Sequence, residues 1–192
     1  MNTTVAATLQ STKPTLWQID PAHSAAHFSV RHLMISNVRG EFTKLSGSAL
    51  LNPADPAKAS VEVTIEAASV NTREPQRDEH LRSADFFDVA KYPSLTFRSK
   101  RVEALGAENF KLTGDLTIHG VTKEVTFDLE GPTASVKDPW GNIRAGVTAS
   151  AKINRKDFGV AWNALTETGG LVVGDEVKIT VEAELIQQAP VA

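Results

Sequence analysis

Gly114-Asp115-Leu116-Thr117-Ile118-His119-Gly120-Val121-Thr122 reads as the end of one strand, a tight turn and the start of the next. Before the turn, Phe110, Leu112, Leu116 and Ile118 alternate with Lys111, Thr113, Asp115, Thr117 and His119. After it, Val121, Val125, Phe127 and Leu129 alternate with Thr122, Glu124, Thr126 and Asp128. A period of two interrupted by a Gly-containing turn is a β-hairpin with one wet and one dry face.

The same period recurs outward in both directions. Ala22, Ser24, Ala26, Phe28 and Val30 share one face of a segment ending near His32. Residues 38–51 alternate more loosely, with Gly40 and Gly47 read as bends or bulges. Asn52-Pro53-Ala54-Asp55-Pro56 is a turn, after which Val61, Val63, Ile65 and Ala67 stand against Glu62, Thr64 and Glu66. Leu95, Phe97 and Ser99 begin another strand; Ile143, Ala145, Val147, Ala149, Ala151 and Ile153 form a long one. Val177, Ile179, Val181, Ala183 and Leu185 end the series. Roughly eight antiparallel strands result, a count at which a sheet closes and holds one small ligand. Residues 75–93 break the pattern: Pro75 with Asp78 and Glu79 behind it is a helix start, and Ser83 a cap for a second short turn. The expectation is an all-β single domain over residues 16–188 with a short helical insertion, preceded by a flexible arm over residues 1–15.

Composition narrows the function. A net charge of -3 and a pI near 6.0 argue against a nucleic-acid surface. With no Cys, disulfides, thiolate metal sites and cysteine nucleophiles drop out. No apolar run approaches the roughly 18 residues of a membrane helix. Near the N-terminus, Val5-Ala6-Ala7 and Leu9 form no h-region and follow no basic residue, so a cytoplasmic location is expected, with the periplasm or secretion as the alternative.

Three constellations invite sharper readings. His23 and His27 share a strand face but stand roughly 13 Å apart at about 3.3 Å per residue, too far for one zinc at bonds of about 2.1 Å; no metal is expected. Asp20, Ser24 and His27 are near in sequence, yet a triad is a matter of spatial roles, and Leu45-Ser46-Gly47-Ser48-Ala49 is no nucleophile elbow. Gly169-Gly170-Leu171-Val172-Val173-Gly174 lacks the Lys and the helix of a phosphate loop and reads as a connection to the last strand. The apolar stripes remain open to two readings, since alternation does not separate a filled sandwich from a hollow barrel.

The order of motifs adds what periodicity lacks. Trp17-Gln18-Ile19-Asp20-Pro21-Ala22-His23-Ser24 opens it, followed by Phe28, Val30 and His32, Gly40-Glu41-Phe42, Val63-Thr64-Ile65 and Ala68-Ser69-Val70-Asn71-Thr72. Arg77-Asp78, His80-Leu81-Arg82-Ser83-Ala84-Asp85-Phe86-Phe87-Asp88-Val89, Lys91-Tyr92-Pro93 and Leu95-Thr96-Phe97 come next. The 114–122 block, Asp138-Pro139-Trp140-Gly141-Asn142-Ile143-Arg144 and Ile153-Asn154-Arg155-Lys156-Asp157-Phe158-Gly159 complete it. In these blocks, over residues 16–187, the chain resembles the YceI-like family of lipocalin-like, polyisoprenoid-binding proteins. The resemblance implies an eight-stranded barrel with an elongated hydrophobic channel that holds an isoprenoid chain, such as a quinone tail, or another long lipid. It implies no catalytic residue and no cofactor beyond the non-covalent lipid, and it suggests a homodimer.

On this reading the lining is Phe28, Val30, Phe42, Val61, Val63, Ile65, Phe97, Phe110, Leu112, Leu116, Ile118, Phe127, Leu129, Val147, Ile179 and Val181. His32, His80, Arg82 and Arg155 are the candidates for a head group at the mouth. Two rival functions stay open: an enzyme acting on a bound isoprenoid or quinone, which needs convergent polar groups in the channel, and a structural or stress-response module with a filled core.

Overall fold

The computed structural model describes residues 13–189 apart from Pro53, Thr166 and Thr168. Most of the expected N-terminal arm therefore lies outside the described residues. The strands are β1 (Thr15–Ile19), β2 (Ala25–His32), β3 (Ser36–Phe42), β4 (Leu45–Leu51), β5 (Ser60–Glu66), β6 (Val70–Asn71), β7 (Ser94–Ala104), β8 (Asn109–Ile118), β9 (Val121–Glu130), β10 (Val136–Lys137), β11 (Ile143–Asn154) and β12 (Val173–Gln187). The helix α1 spans Pro75–Arg82.

These twelve segments make an eight-stranded antiparallel barrel, because several lie end to end. β12 pairs with β1 through Ile19↔Leu185 and with β2 through Ala25↔Glu182, so β1 and β2 are two halves of one barrel strand. β4 and β3 continue one another along that pair, at Gln18↔Ser48 and Ala26↔Phe42. β5 and β6 repeat the arrangement one strand further on, at Leu45↔Ile65 and Phe42↔Val70. β7, β8, β9 and β11 follow in turn, and β11 closes the ring on β12 from Arg144↔Ile186 to Asn154↔Glu176. The segment 38–51 is thus two strands broken at Thr43-Lys44, not one loose strand. Gly40 and Gly47 are neither bends nor bulges but ladder residues against which neighbours press: a Cβ on Gly40 would lie 2.4 Å from the Phe28 ring, and one on Gly47 2.2 Å from the Glu62 carbonyl oxygen.

The β8–β9 hairpin has a two-residue turn, His119-Gly120, with φ of 52° and 73°. Two positive φ values in succession define the type I′ turn that matches strand twist. Gly120 is needed twice, since a Cβ there would also come 2.4 Å from the Tyr92 ring. Across β8 the parity of Leu112, Gly114, Leu116 and Ile118 holds. In β7 it does not: the register slips between Ser99 and Arg101, so Val102 takes over the inward face from Leu95 and Phe97. That slip is a bulge, and it bends the strand around the barrel.

Antiparallel order puts the α1 insertion, the 33–35 turn, the 119–120 turn and the segment 155–172 at one end of the barrel. The start of β1 at Thr15 and the end of β12 at Gln187 lie at the other. α1 starts with Pro75 at its first turn, as expected. Asp78 lies in that first turn, as expected, and its carboxylate also accepts from the Thr72 N–H at 2.7 Å and the Thr72 hydroxyl at 2.6 Å, which ties α1 to the chain just after β6.

Close approach at Gly114 gives a test of this packing. A Cβ there would lie 2.3 Å from the Arg98 carbonyl oxygen and 2.7 Å from the Phe97 ring. Gly114→Ala is expected to cost about 1–3 kcal/mol from overpacking, or roughly 2–12 °C in Tm at about 2–4 °C per kcal/mol. Gly106, with nothing within 4 Å of a built Cβ, is the control. Gly106→Ala should leave Tm unchanged or slightly raised in the same thermal melts.

Candidate functional site: an apolar cavity

The inward faces of the strands meet around a cavity of about 430 Å³, inside the roughly 300–1,000 Å³ range of small-molecule sites. Its walls show in the burial pattern itself. Leu95, Phe97, Leu112, Leu116, Ile118 and Phe127 are buried against one another. Val61, Val63, Ile65, Val177, Ile179 and Val181 point inward on the same parity, yet each is only half-buried. An aliphatic side chain that faces a barrel interior and still has free surface is facing empty space, so the interior is hollow.

Aromatic side chains shape the cavity. Phe97 and Phe127 pack edge to face at 5.2 Å between centroids. Phe28, Phe42 and Phe87 form a chain at 5.7 and 5.4 Å. At the α1 end, Trp162 stands 5.2 Å from Phe86 and 4.8 Å from His80.

The structure places Phe28, Val30, His32, Phe42, Val61, Val63, Ile65, His80, Phe97, Leu112, Leu116, Ile118, Phe127, Leu129, Val147, Arg155, Ile179 and Val181 on the lining. Phe110 and Arg82, expected there, are not on it. Phe110 sits near the start of β8, half-buried and packed on the core cluster. Arg82 turns its guanidinium on the Ala68 and Val70 carbonyls, both at 2.8 Å. Phe86, Phe87, Leu81, Val160 and Trp162 also line the cavity. Leu81 comes from α1, and the other four from segments without strand or helix periodicity, where only their size and apolarity mark them.

Polar groups on the lining are Ser48, Thr96, His27, Arg31, His32, Arg77, His80 and Arg155; no Asp, Glu or Lys joins them among the described residues. Several are already engaged. Arg155, buried in the turn after β11, donates Nε to Gly174 O at 2.8 Å, Nη1 to Val160 O and Trp162 O at 2.7 and 2.8 Å, and Nη2 to Val173 O at 3.2 Å. Burial holds its pKa below the ordinary arginine value, with Asp175 at 3.5 Å opposing that. Its role is to fasten the segment that carries Val160 and Trp162. Arg77 donates to the Thr72 hydroxyl and carbonyl at 2.7 and 2.9 Å, and His80 Nε2 meets Asp85 at 2.8 Å.

The Asp20, Ser24 and His27 grouping does not assemble. Ser24 Oγ accepts from the Glu184 N–H at 3.0 Å, and His27 faces Glu41 at 3.7 Å. Asp20, His23 and Glu184 do converge, near the other end of the barrel. Arg144 fills the gap between the two acids: Nη1 meets Asp20 at 2.6 Å and also Glu184, while Nε meets Asp138 at 2.6 Å. The Arg144 hydrogen bond, then that of His23, lowers the Asp20 pKa to about 2. The three carboxylates raise the Arg144 pKa in return, Asp138 most.

A family profile described as YceI-like domain matches residues 17–185. A UPF0312 protein of Staphylococcus aureus (strain N315) is 38% identical over 170 residues, 88% of this chain and 96% of the relative. The crystal structure of a Campylobacter jejuni YCEI protein superposes with a TM-score of 0.70 at 38% identity, covering 83% of this chain and 90% of that one. A domain from Saccharophagus degradans, described as polyisoprenoid binding and implicated in plant cell wall breakdown, shares the fold at a TM-score of 0.65 and 18% identity, covering 90% and 98%.

Two tests follow. Ile65→Glu and Ile179→Lys put a charge on the cavity wall, whereas Lys178→Glu and Glu66→Gln change exposed positions one residue away. The inward pair should cost about 3 kcal/mol unless water enters, roughly 6–12 °C in Tm; the outward pair should stay within about 0.5 kcal/mol. Equal damage from both pairs would contradict the assigned faces. The second test is acid stability. Because the folded pKa of Asp20 is about 2, against about 3.9 unfolded, its contribution is complete above about pH 4 and is lost as pH falls toward 2. Asp20→Asn should flatten that part of the stability–pH curve measured by chemical denaturation.

Proposed function

Since this chain belongs to the YceI-like family, we propose that it is a binding protein whose cavity holds the tail of a long-chain isoprenoid, an isoprenoid quinone in particular, for transport, storage or sequestration rather than conversion. One observation carries the reading: a hollow barrel whose inward aliphatics are only half-buried and keep free surface toward the cavity. Such a surface is stabilised by taking an apolar chain out of water, at roughly 0.8 kcal/mol per buried methylene. Ordering the tail and losing translational freedom offset part of that gain.

The head group follows from the polar lining. Imidazoles and guanidiniums without a carboxylate favour a group that accepts hydrogen bonds, and quinone carbonyls only accept. His32 carries the expectation for that contact. Arg82 and Arg155 do not, because their donors are already taken by backbone carbonyls. Chemistry on the ligand is not favoured, since the Asp20, Ser24 and His27 grouping does not assemble. The isoprenoid binding described for the Saccharophagus domain supports the same reading.

The test is thermal unfolding with a long-tailed isoprenoid quinone and with the same ring lacking its tail. A ligand that binds only the native state at a hundred times its Kd adds about 2.7 kcal/mol, or roughly 5–11 °C here. The long-tailed quinone should produce that rise and the tail-less ring should not. Equal shifts from both, or none from either, would overturn the proposal.

A further inference from the structure

The β2–β3 turn at the cavity end presents Leu33, Met34 and Ile35 to solvent, with Met34 60% and Ile35 78% exposed. Its backbone is of the type I′ kind, with φ of 49° at Leu33 and 61° at Met34 and the Ile35 N–H donating to His32 O at 3.1 Å. That turn is ordinarily built from Asn-Gly or Gly-Gly, and the β8–β9 hairpin does use a glycine. Two bulky apolar residues in left-handed conformation, with their side chains in water, are strained locally and unfavourable in solvation. Such residues persist where function requires them.

The tip is joined to a second exposed apolar stretch. Leu33 N–H donates to Val172 O at 2.8 Å, and Leu165 bridges to Leu171 in the same segment, with Leu165 74% exposed. This combined patch is continuous with the cavity, because His32, Val38, Val172 and Val173 line the mouth from the same two segments. Leu105, Val136 and Trp140 are exposed as well, but at the opposite end, and none of them lines the cavity.

Charge selects the occupant. Residues 28–40 contain no Asp or Glu. Arg31 and Arg39 flank the turn, exposed and in no ion pair among the described residues. Glu167 is the one acid in the segment 160–172. Exposed apolar side chains flanked by two guanidiniums that form no ion pair among the described residues suit the interface of an anionic bilayer.

We propose that the Leu33-Met34-Ile35 turn and the adjoining Leu165 and Leu171 dock on an anionic lipid bilayer, laying the cavity mouth against the membrane that supplies or receives its cargo. The inference rests on the lipid-binding reading, because a cargo of negligible aqueous solubility has its source in a bilayer. The two readings are separable by experiment.

The experiment is flotation of the full chain with vesicles of phosphatidylcholine alone and of phosphatidylcholine with phosphatidylglycerol. Wild-type protein should float with the anionic vesicles, and less so as salt is raised. The double variant Met34→Asp, Ile35→Asp should lose roughly tenfold or more of its vesicle-bound fraction. It should still melt at the wild-type Tm, because Asp tolerates the left-handed position and both side chains are exposed. Leu105→Asp, the same change at the other end, should float like wild type. Two results overturn docking while leaving cargo binding intact: wild type that fails to float yet is stabilised by detergent-dispersed quinone, and a double variant that floats unchanged. Wild type that floats but is not stabilised by quinone supports docking and sinks the cargo reading. Should the double variant instead turn a dimer into a monomer while wild type ignores vesicles, the patch is an interface between copies and the proposal is wrong.

Discussion

The pairing of β12 on both edges is the constraint from which the rest of the molecule follows. One edge runs along β11 from Ile186 to Glu176; the other takes β1 and then β2. With that strand in place the sheet has no open edge, and every apolar parity is committed to the inside. Eight strands enclose more room than these side chains fill. Val61, Val63, Ile65, Val177, Ile179 and Val181 are therefore left half-buried, with part of their surface lining a void.

Closing the barrel leaves irregular backbone at its two ends, and arginines fasten both. Arg155 and Arg82 satisfy carbonyls in the segments folded over the α1 end. Arg144 joins Asp20, Asp138 and Glu184 toward the other. A guanidinium has five donors in a rigid fork, suited to holding several acceptors that no ladder supplies. The same engagement withdraws these groups from ligand chemistry, and the cavity is left to recognise apolar bulk. Such recognition is coarse, because one methylene is worth only about 1–3 kcal/mol between competing tails.

Much of the architecture was legible in the chain. The period of two assigned inward faces in β5, β8, β9, β11 and β12, and strand number followed from it. What failed were features that no local period encodes. The break at Thr43-Lys44 and the bulge after Ser99 depend on how neighbouring strands curve. Gly40 and Gly47 looked like bends because close approach of a neighbour leaves the same residue as a turn. Trp162 and Phe86 lie in irregular segments, and their place on the cavity is decided by tertiary docking. Arg82 and Arg155 read as head-group contacts by residue type, whereas their hydrogen bonds show them holding backbone. Hollowness itself is invisible in alternation, since filled and empty barrels present the same stripes.

The central claim is that this interior exists to be filled by a lipid tail. Mass spectrometry of an organic extract from protein purified without detergent addresses it directly. The account predicts a long-chain, predominantly apolar lipid in near-stoichiometric amount, absent from the extract of the Ile65→Glu variant. A wild-type extract free of any such lipid, from protein that also takes none up when refolded with cellular lipids, would contradict it.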